Sequence, residues 1–245
     1  MLKIANHAHY HKLLARQLVE RAQACSLQPE LLLSIEDNLL ELCSDINAQL
    51  TCYRHSFDSA KLQQRARQKN QALLKACNNK KRDILTVLDL TAGWGKDSFV
   101  IASHGQQVTM LEHNPLIYAC VDYLLQVAQA DNPQAVFLHL RLIQQNSLQY
   151  LEQSEGIAAD CLYLDPMFPA HKTSARPGKD LQLLQLLTDN LDIEQLMQLA
   201  MAKAGKRVVV KRPLHAAPLT DRKADIVYRE KSIRFDVYLC PVNTV

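Results

Sequence analysis

Glycine is scarce in this chain, with six in 245 residues against an average usage of about 7%. That scarcity excludes collagen-like and glycine-rich low-complexity architectures. No stretch approaches the roughly 20 consecutive apolar residues of a membrane helix, and Met1 to Tyr10 lacks the apolar core of a secretory signal. The expected address is the cytoplasm, with no membrane partner. The seven cysteines (Cys25, Cys43, Cys52, Cys77, Cys120, Cys161 and Cys240) include no Cys-x-x-Cys pair, so they are expected to be reduced thiols, mostly in the core. No His and Cys spacing suits zinc, and no metal is expected. His7, His9 and His11 alternate as a solvated terminus would. Neither an internal repeat nor a low-complexity segment is present.

Acid is missing from one place in particular. Between Lys61 and Arg82 there are eight basic residues and no acidic one, although the chain as a whole carries a formal charge of only +3. Such a stripe serves either as a solvated helix face or as an attraction for phosphates.

Against that background, Gly93 and Gly95 stand two apart in Thr-Val-Leu-Asp-Leu-Thr-Ala-Gly-Trp-Gly-Lys-Asp, residues 86–97. An apolar run, an acid (Asp89), a glycine turn and a helical stretch in that order predict a strand handing over to a helix at a ligand site, where missing Cβ atoms let the backbone approach closely. The spacing Asp-x-x-x-Gly-x-Gly is not the Gly-x-Gly-x-x-Gly of a dinucleotide site. Asp97 at the helix start also suits the helix dipole.

A length of 245 residues and 48% hydrophobic content allow one α/β domain with a smaller appendage. Residues 1–82 read as a small N-terminal α+β region that includes the basic helix, and 83–245 as the main domain. In the former, 7–26 is predicted as an amphipathic helix. Leu32, Ile35, Leu39, Leu42 and Ile46 fit a helical repeat, 50–57 looks extended, and 61–82 looks helical. From Ile84, strands and helices alternate, the pattern of a mostly parallel sheet with helices on both faces. Strands are expected at 84–90, 108–112, 138–144, 161–164 and 207–210, and a final antiparallel pair at 226–228 and 233–239. Helices are expected at 97–104, ended by Gly105, at 116–128 after the Asn114-Pro115 cap, in a short stretch opening near Ser147, and at 181–202, stopped by Gly205.

Ligands of open parallel sheets lie beyond the carboxyl ends of the strands, which singles out Asp89, Glu112, Asn146 with Ser147, and Asp165. Glu112 suits the two hydroxyls of a ribose because a carboxylate offers two acceptor oxygens; a surface acid beside a helix start is the plainer reading. Asn146 and Ser147 could serve the edge of an adenine. Beyond the fourth of these strands comes Asp165-Pro166-Met167-Phe168-Pro169, a turn stiffened by two prolines that carries an acid and an aromatic ring.

This motif is similar to the Asp/Asn-Pro-Pro-Tyr/Phe signature of S-adenosylmethionine-dependent methyltransferases that modify exocyclic amines. Together with the glycine turn, Leu-Glu-His-Asn-Pro (111–115) and Val-Val-Lys-Arg-Pro (209–213), it resembles the RsmJ family of small-subunit ribosomal RNA guanine-N2 methyltransferases. The resemblance runs from about Ile84 to the end. It implies a Rossmann-like class I fold with a seven-stranded sheet and S-adenosyl-L-methionine as cofactor, with Gly93 and Gly95 at its turn. The family's contacts to that cofactor fall on Lys96, Asp97, Glu112, His113, Asn146, Ser147 and Asp165. It implies small-subunit ribosomal RNA or the 30S subunit as partner. Lys96 and His113 stand where the family usually has Arg, and Asn146 where Ser is more usual. Upstream, a glycine-rich segment with a His-Arg-Arg cluster is replaced by Gln63 to Lys69.

The expected chemistry places Asp165 and the carbonyl of Pro166 as acceptors for the amine protons and Phe168 as a stacking ring for an extruded base. Lys172, Arg176, Lys179, Lys211 and Arg212 are candidate phosphate contacts. The alternatives are an amino-methyltransferase on another nucleic acid or a protein amide, and a catalytically silent module binding RNA and cofactor.

Overall fold

The computed structural model describes residues 3–4, 31–36, 39–46, 49–77, 84–131, 135–166, 187 and 191–240. In chain order the elements are β1 (Lys3–Ile4), β2 (Leu31–Glu36), β3 (Leu39–Ile46), β4 (Gln49–His55), α1 (Ala60–Arg67), α2 (Ala72–Cys77), β5 (Thr86–Asp89), α3 (Lys96–Ala102), β6 (Gln107–Glu112) and α4 (Pro115–Asp131). They continue with α5 (Ala135–Leu138), β7 (Leu140–Gln144), α6 (Ser147–Gln153), β8 (Ala159–Leu164), α7 (Ile193–Lys203), β9 (Ala204–Pro213), β10 (Ile226–Arg229) and β11 (Ile233–Leu239). The expected helix at 7–26, along with Phe168, Lys172, Arg176 and Lys179, lies outside the described residues.

Two compact units result, and neither is continuous in the chain. The first comprises Met1–Ala60, Asn114–Gln134 and Met167–Asp189. Its sheet has the order β1-β2-β3-β4, with β1 parallel to β2 and the other pairs antiparallel. The helical repeat expected over Leu32 to Ile46 is corrected to two strands. Leu33 and Ile35 alternate with Ser34, Leu40 and Leu42 alternate with Glu41, and the register sets Leu33 opposite Leu42 and Ile35 opposite Leu40. All four are buried, and such apolar cross-strand pairs are the unit of sheet stabilisation. A spacing of three or four is also produced by two short period-2 runs separated by two residues in the sequence. The expectation of reduced cysteines is corrected too: Cys43 and Cys52 face each other across β3 and β4 and form a disulfide. Cys77, Cys120, Cys161 and Cys240 are free and buried. The Asn114-Pro115 signal is observed as expected: the Asn114 side chain accepts the N–H groups of Leu116 and Ile117 at 2.9 and 3.1 Å and opens α4.

The second unit comprises Lys61–His113, Ala135–Pro166 and Asn190–Val245. The basic helices therefore group with the main sheet, and the contact boundary falls near residue 60 instead of 82. The basic stretch is two short helices rather than one, broken between Arg67 and Ala72. The sheet has the order β10-β11-β9-β8-β5-β6-β7. Its five central and distal strands are parallel, and β11 runs antiparallel to both β9 and β10. The strand order reverses between β5 and β8, which makes that gap the switch point where open α/β sheets bind ligands.

Alternation along the strands divides this sheet into two faces. Leu88, Leu162, Leu164, Val208 and Val210 join Leu151 of α6 and Leu196, Met197 and Ala200 of α7 in one apolar cluster. The intervening residues Asp89, Tyr163, Arg207 and Lys211 point the other way, toward α2 and α3. There Arg207, fully buried, donates from Nη1 to the Ala76 carbonyl at 2.7 Å, near the end of α2. His104, just past α3, meets the Ala66 carbonyl of α1 at 2.9 Å. α3 ends at Ala102 with Ser103 as its C-cap, two residues before the end expected from the sequence, and Gly105 closes the following turn with φ 93°. Gly205 does not stop a helix: α7 ends at Lys203, and Gly205 lies inside β9, where an added Cβ would stand 3.0 Å from the Ile157 side chain. Among the described residues no helix is long and apolar enough to cross a membrane.

Candidate active site

The turn after β5 is held from within. Asp89, 2% exposed, accepts the Ser98 hydroxyl at 2.5 Å and the Thr91 N–H at 3.1 Å, so its carboxylate shapes the turn rather than standing open in the crevice. Burial pushes its pKa up to about 7, against the pull of those two hydrogen bonds. Gly93 and Gly95 take φ 50° and 71°, the left-handed region that glycine enters without strain. Gly95 is the N-cap of α3 and provides no side-chain cap. The Ala92 N–H reaches the Leu111 carbonyl at 3.2 Å, which draws the turn toward the end of β6.

The turn and Asp165 lie at the same edge of the sheet. The β5–β8 register sets Asp89 beside Tyr163, the Leu90 N–H donates to the Tyr163 carbonyl at 2.9 Å, and the Asp165 N–H donates to the Thr91 hydroxyl at 2.6 Å. Pro166 follows and is buried.

Across this edge runs a chain of charge. Lys211 Nζ sits 2.6 Å from Asp165 Oδ2 and 3.0 Å from Asp97 Oδ2. Tyr163 donates its hydroxyl to Asp97 at 2.6 Å, and the Arg65 guanidinium meets the other Asp97 oxygen at 2.6 Å. Burial would raise the Asp97 pKa, but the Lys211 ammonium and the Arg65 guanidinium hold it far below the usual carboxylate range. Burial pushes the Asp165 carboxyl upward, with Lys211 opposing. The Lys211 pKa is raised, because the attraction of Asp97 and Asp165 exceeds the cost of its burial. The Tyr163 phenol is pushed well above its ordinary value by burial and by the negative charge of Asp97.

Glu112 ends β6 and is 5% exposed, with His113 Nδ1 3.5 Å from its carboxylate. Asn146 caps α6, its side-chain oxygen accepting the Leu148 and Gln149 N–H groups at 2.9 and 3.3 Å. Ser147 donates its hydroxyl to the Leu90 carbonyl, which ties the start of α6 to the glycine turn. Both side chains thus have structural bonds at this edge, and the short helix opens at Ser147 with Asn146 as its cap. Lys96 opens α3 beside Asp97. The phosphate role expected for Lys211 and Arg212 is corrected. Lys211 is enclosed by two carboxylates, and Arg212 is 6% exposed and donates to the Ala217 carbonyl.

Sequence reasoning missed Tyr163, Thr91 and the positions of Arg65 and Lys211. The available signal was in the strand ends: the β8–β9 register pairs Leu164 with Val210, so the next residues, Asp165 and Lys211, fall side by side. Pairing register is not written in either strand alone.

The donor set fits S-adenosylmethionine on its own chemistry. A glycine turn at positive φ allows close approach, Glu112 offers two acceptors for a ribose, and the carboxylates of Asp97 and Asp165 suit a ligand bearing a sulfonium and an ammonium. The chain matches the family described as SAM-dependent methyltransferase over residues 16–240. It is 42% identical to a ribosomal RNA small subunit methyltransferase J from Tolumonas auensis over 174 residues, 70% of each chain. It is 34% identical to the protein of that name from Buchnera aphidicola subsp. Acyrthosiphon pisum over 233 residues, 93% of each. The crystal structure of a SAM-dependent methyltransferase from Neisseria gonorrhoeae superposes with a TM-score of 0.67 at 27% identity, covering 97% of this chain and 95% of that one.

Proposed function

This chain belongs to the ribosomal RNA small subunit methyltransferase J family of S-adenosylmethionine-dependent methyltransferases, and on that premise we propose that it methylates the exocyclic N2 of a guanine in small-subunit ribosomal RNA, free or within the 30S subunit, in the cytoplasm. One observation carries this reading. Asp165 is joined to the glycine turn through Thr91 and to Lys211 through its carboxylate, so an acceptor for an amine proton stands at the cofactor's edge of the sheet.

Gly93, Gly95, Lys96, Asp97, Glu112, His113, Asn146 and Ser147 would hold the cofactor, with Glu112 taking the ribose. S-adenosylmethionine, when bound, supplies a methyl group on a positively charged sulfur. The guanine amine is a weak nucleophile because its lone pair is delocalised into the ring. Asp165, with the Pro166 carbonyl, accepts the amine N–H groups and favours a more tetrahedral nitrogen, while Phe168 stacks on the base. As the nitrogen becomes cationic, the Asp165 carboxylate stabilises the growing charge, and the surplus N–H proton then leaves to water. Fixed groups of this kind need no reorganisation during the reaction. Lys211 fixes the direction of the Asp165 carboxylate, and the Thr91 hydroxyl holds the Asp165 backbone N–H.

The test is labelled methyl transfer to small subunits from a strain lacking the gene, with mapping of the modified base. Asp165→Asn should lower turnover about a hundredfold, the scale of losing one preorganised polar contact, with the protein still folded. Undiminished turnover would remove Asp165 from the mechanism, and a modified base other than guanine would replace the substrate.

A further inference from the structure

The second unit also contains an open cleft of about 770 Å³ between the α1–α2 corner and the outer strand β10, which the proposed chemistry does not use. Arg65, Lys69 and Lys75 line it from the helical side, and Tyr228 and Arg229 from the strand. Lys69, Lys75 and Arg229 are exposed, and among the described residues no carboxylate pairs with them. The one acid in the lining, Glu230, accepts the N–H of Ala72 at the start of α2 at 3.2 Å. Arg65 is paired with Asp97, but Lys69, Lys75 and Arg229 add like charge that repels, so folding gains little from placing these three together. A polyanion does gain, through release of its counterions.

Arg65 connects this cleft to the active site. It lines the cleft, and its guanidinium holds Asp97, which shares Lys211 with Asp165. The geometry points to this cleft as the seat of the RNA backbone flanking the target nucleotide, with Lys69, Lys75 and Arg229 on phosphates and Tyr228 stacked on an unpaired base. This assignment rests on the ribosomal RNA reading given above. It concerns substrate binding, and leaves the chemical step to Asp165.

The experiment combines Lys69→Ala, Lys75→Ala and Arg229→Ala in the full chain. Binding of a small-subunit RNA fragment is measured across salt concentrations, alongside methyl-transfer kinetics and calorimetric binding of S-adenosylmethionine. Each lost single-strand phosphate contact should reduce the salt slope by about 0.7, so the triple variant should lose about 2. KM for RNA should rise at least about tenfold while kcat at saturating RNA and cofactor affinity stay unchanged. The charge-preserving set Lys69→Arg, Lys75→Arg and Arg229→Lys should keep the slope, and Tyr228→Ala should weaken RNA binding about tenfold. An unchanged slope and KM in the triple alanine variant would overturn the assignment. So would lost binding to assembled subunits with naked RNA unaffected, which would give the cleft to a ribosomal protein. If the wild-type protein transfers no methyl group to RNA or subunits and the salt slope still falls, the function proposed above fails and the cleft stands as an RNA-binding surface alone.

Discussion

On one face of the seven-stranded sheet, Leu88, Leu162, Leu164, Val208 and Val210 pack on Leu151, Leu196 and Ala200. On the other, alternate residues of the same strands set Asp89, Tyr163 and Lys211 among Ser98, Asp97 and Arg65. The apolar face gains free energy from every atom removed from water. The polar face loses hydration of its charges and recovers it only through close pairing. The fold thus places stability on one face and chemistry on the other: the face that is harder to bury carries the groups that can act on a substrate.

The largest expected effect comes from breaking the polar face at its centre. Lys211→Met leaves Asp97 and Asp165 near each other without their shared cation. Turnover should fall at least about tenfold as Asp165 loses its orientation, and stability should drop by about 1 to 2 kcal/mol at neutral pH, less than for a fully buried ion pair because the Lys211 and Asp165 side chains keep 21% and 38% of their exposure. Lys211 is a positioning residue, so Lys211→Arg should restore part of kcat with little change in KM. Equal kcat for Lys211→Met and wild type would show that Asp165 stands without help.

A second prediction concerns pH. In the unfolded chain Asp89 would titrate near 3.9, whereas in the fold burial raises it to about 7. The folded state therefore binds its proton more tightly. The associated stability is full below about pH 3.9 and is lost as pH rises through about 7. By this group alone, urea stability should decline between pH 4 and 7 by up to about 4 kcal/mol, at 1.36 kcal/mol per pKa unit. Asp89→Asn should flatten that decline, and the same slope in both proteins would assign it to another group.

The smallest effect should come from the apolar face. Leu162→Val removes one buried methylene and should cost about 1 kcal/mol, read from the denaturation midpoint, with kcat and the pH dependence of stability unaltered. A change in either would mean that the two faces are coupled through β8.

Much of the parallel sheet was legible because buried strands, caps and turns leave local signatures. Val87 to Asp89, the Asn114-Pro115 cap and Gly105 each act through the neighbouring few residues. The β2–β3 hairpin was not legible, since Leu32 to Ile46 satisfies both a helical and a two-residue period until a partner strand selects one. The Cys43–Cys52 bond was hidden for the same reason: it depends on which residues face each other across a hairpin. Glu112 and Asp165 were legible as candidates because they stand at strand ends. Tyr163 was not, since it looks like an ordinary apolar core residue until its hydroxyl is seen to reach Asp97.

By itself the sequence determined the alternation of strands and helices, the glycine turn at 93–95, and an acid followed by proline at the end of β8. These depend on backbone preference and on which residues avoid water, both properties of short segments. Only the tertiary structure decided that Lys211 stands between Asp97 and Asp165 and that Arg65 reaches from α1 to the same carboxylate. Pairing register and helix docking bring together residues 114 and 46 positions apart, and a charge acquires its role from the neighbours it meets there.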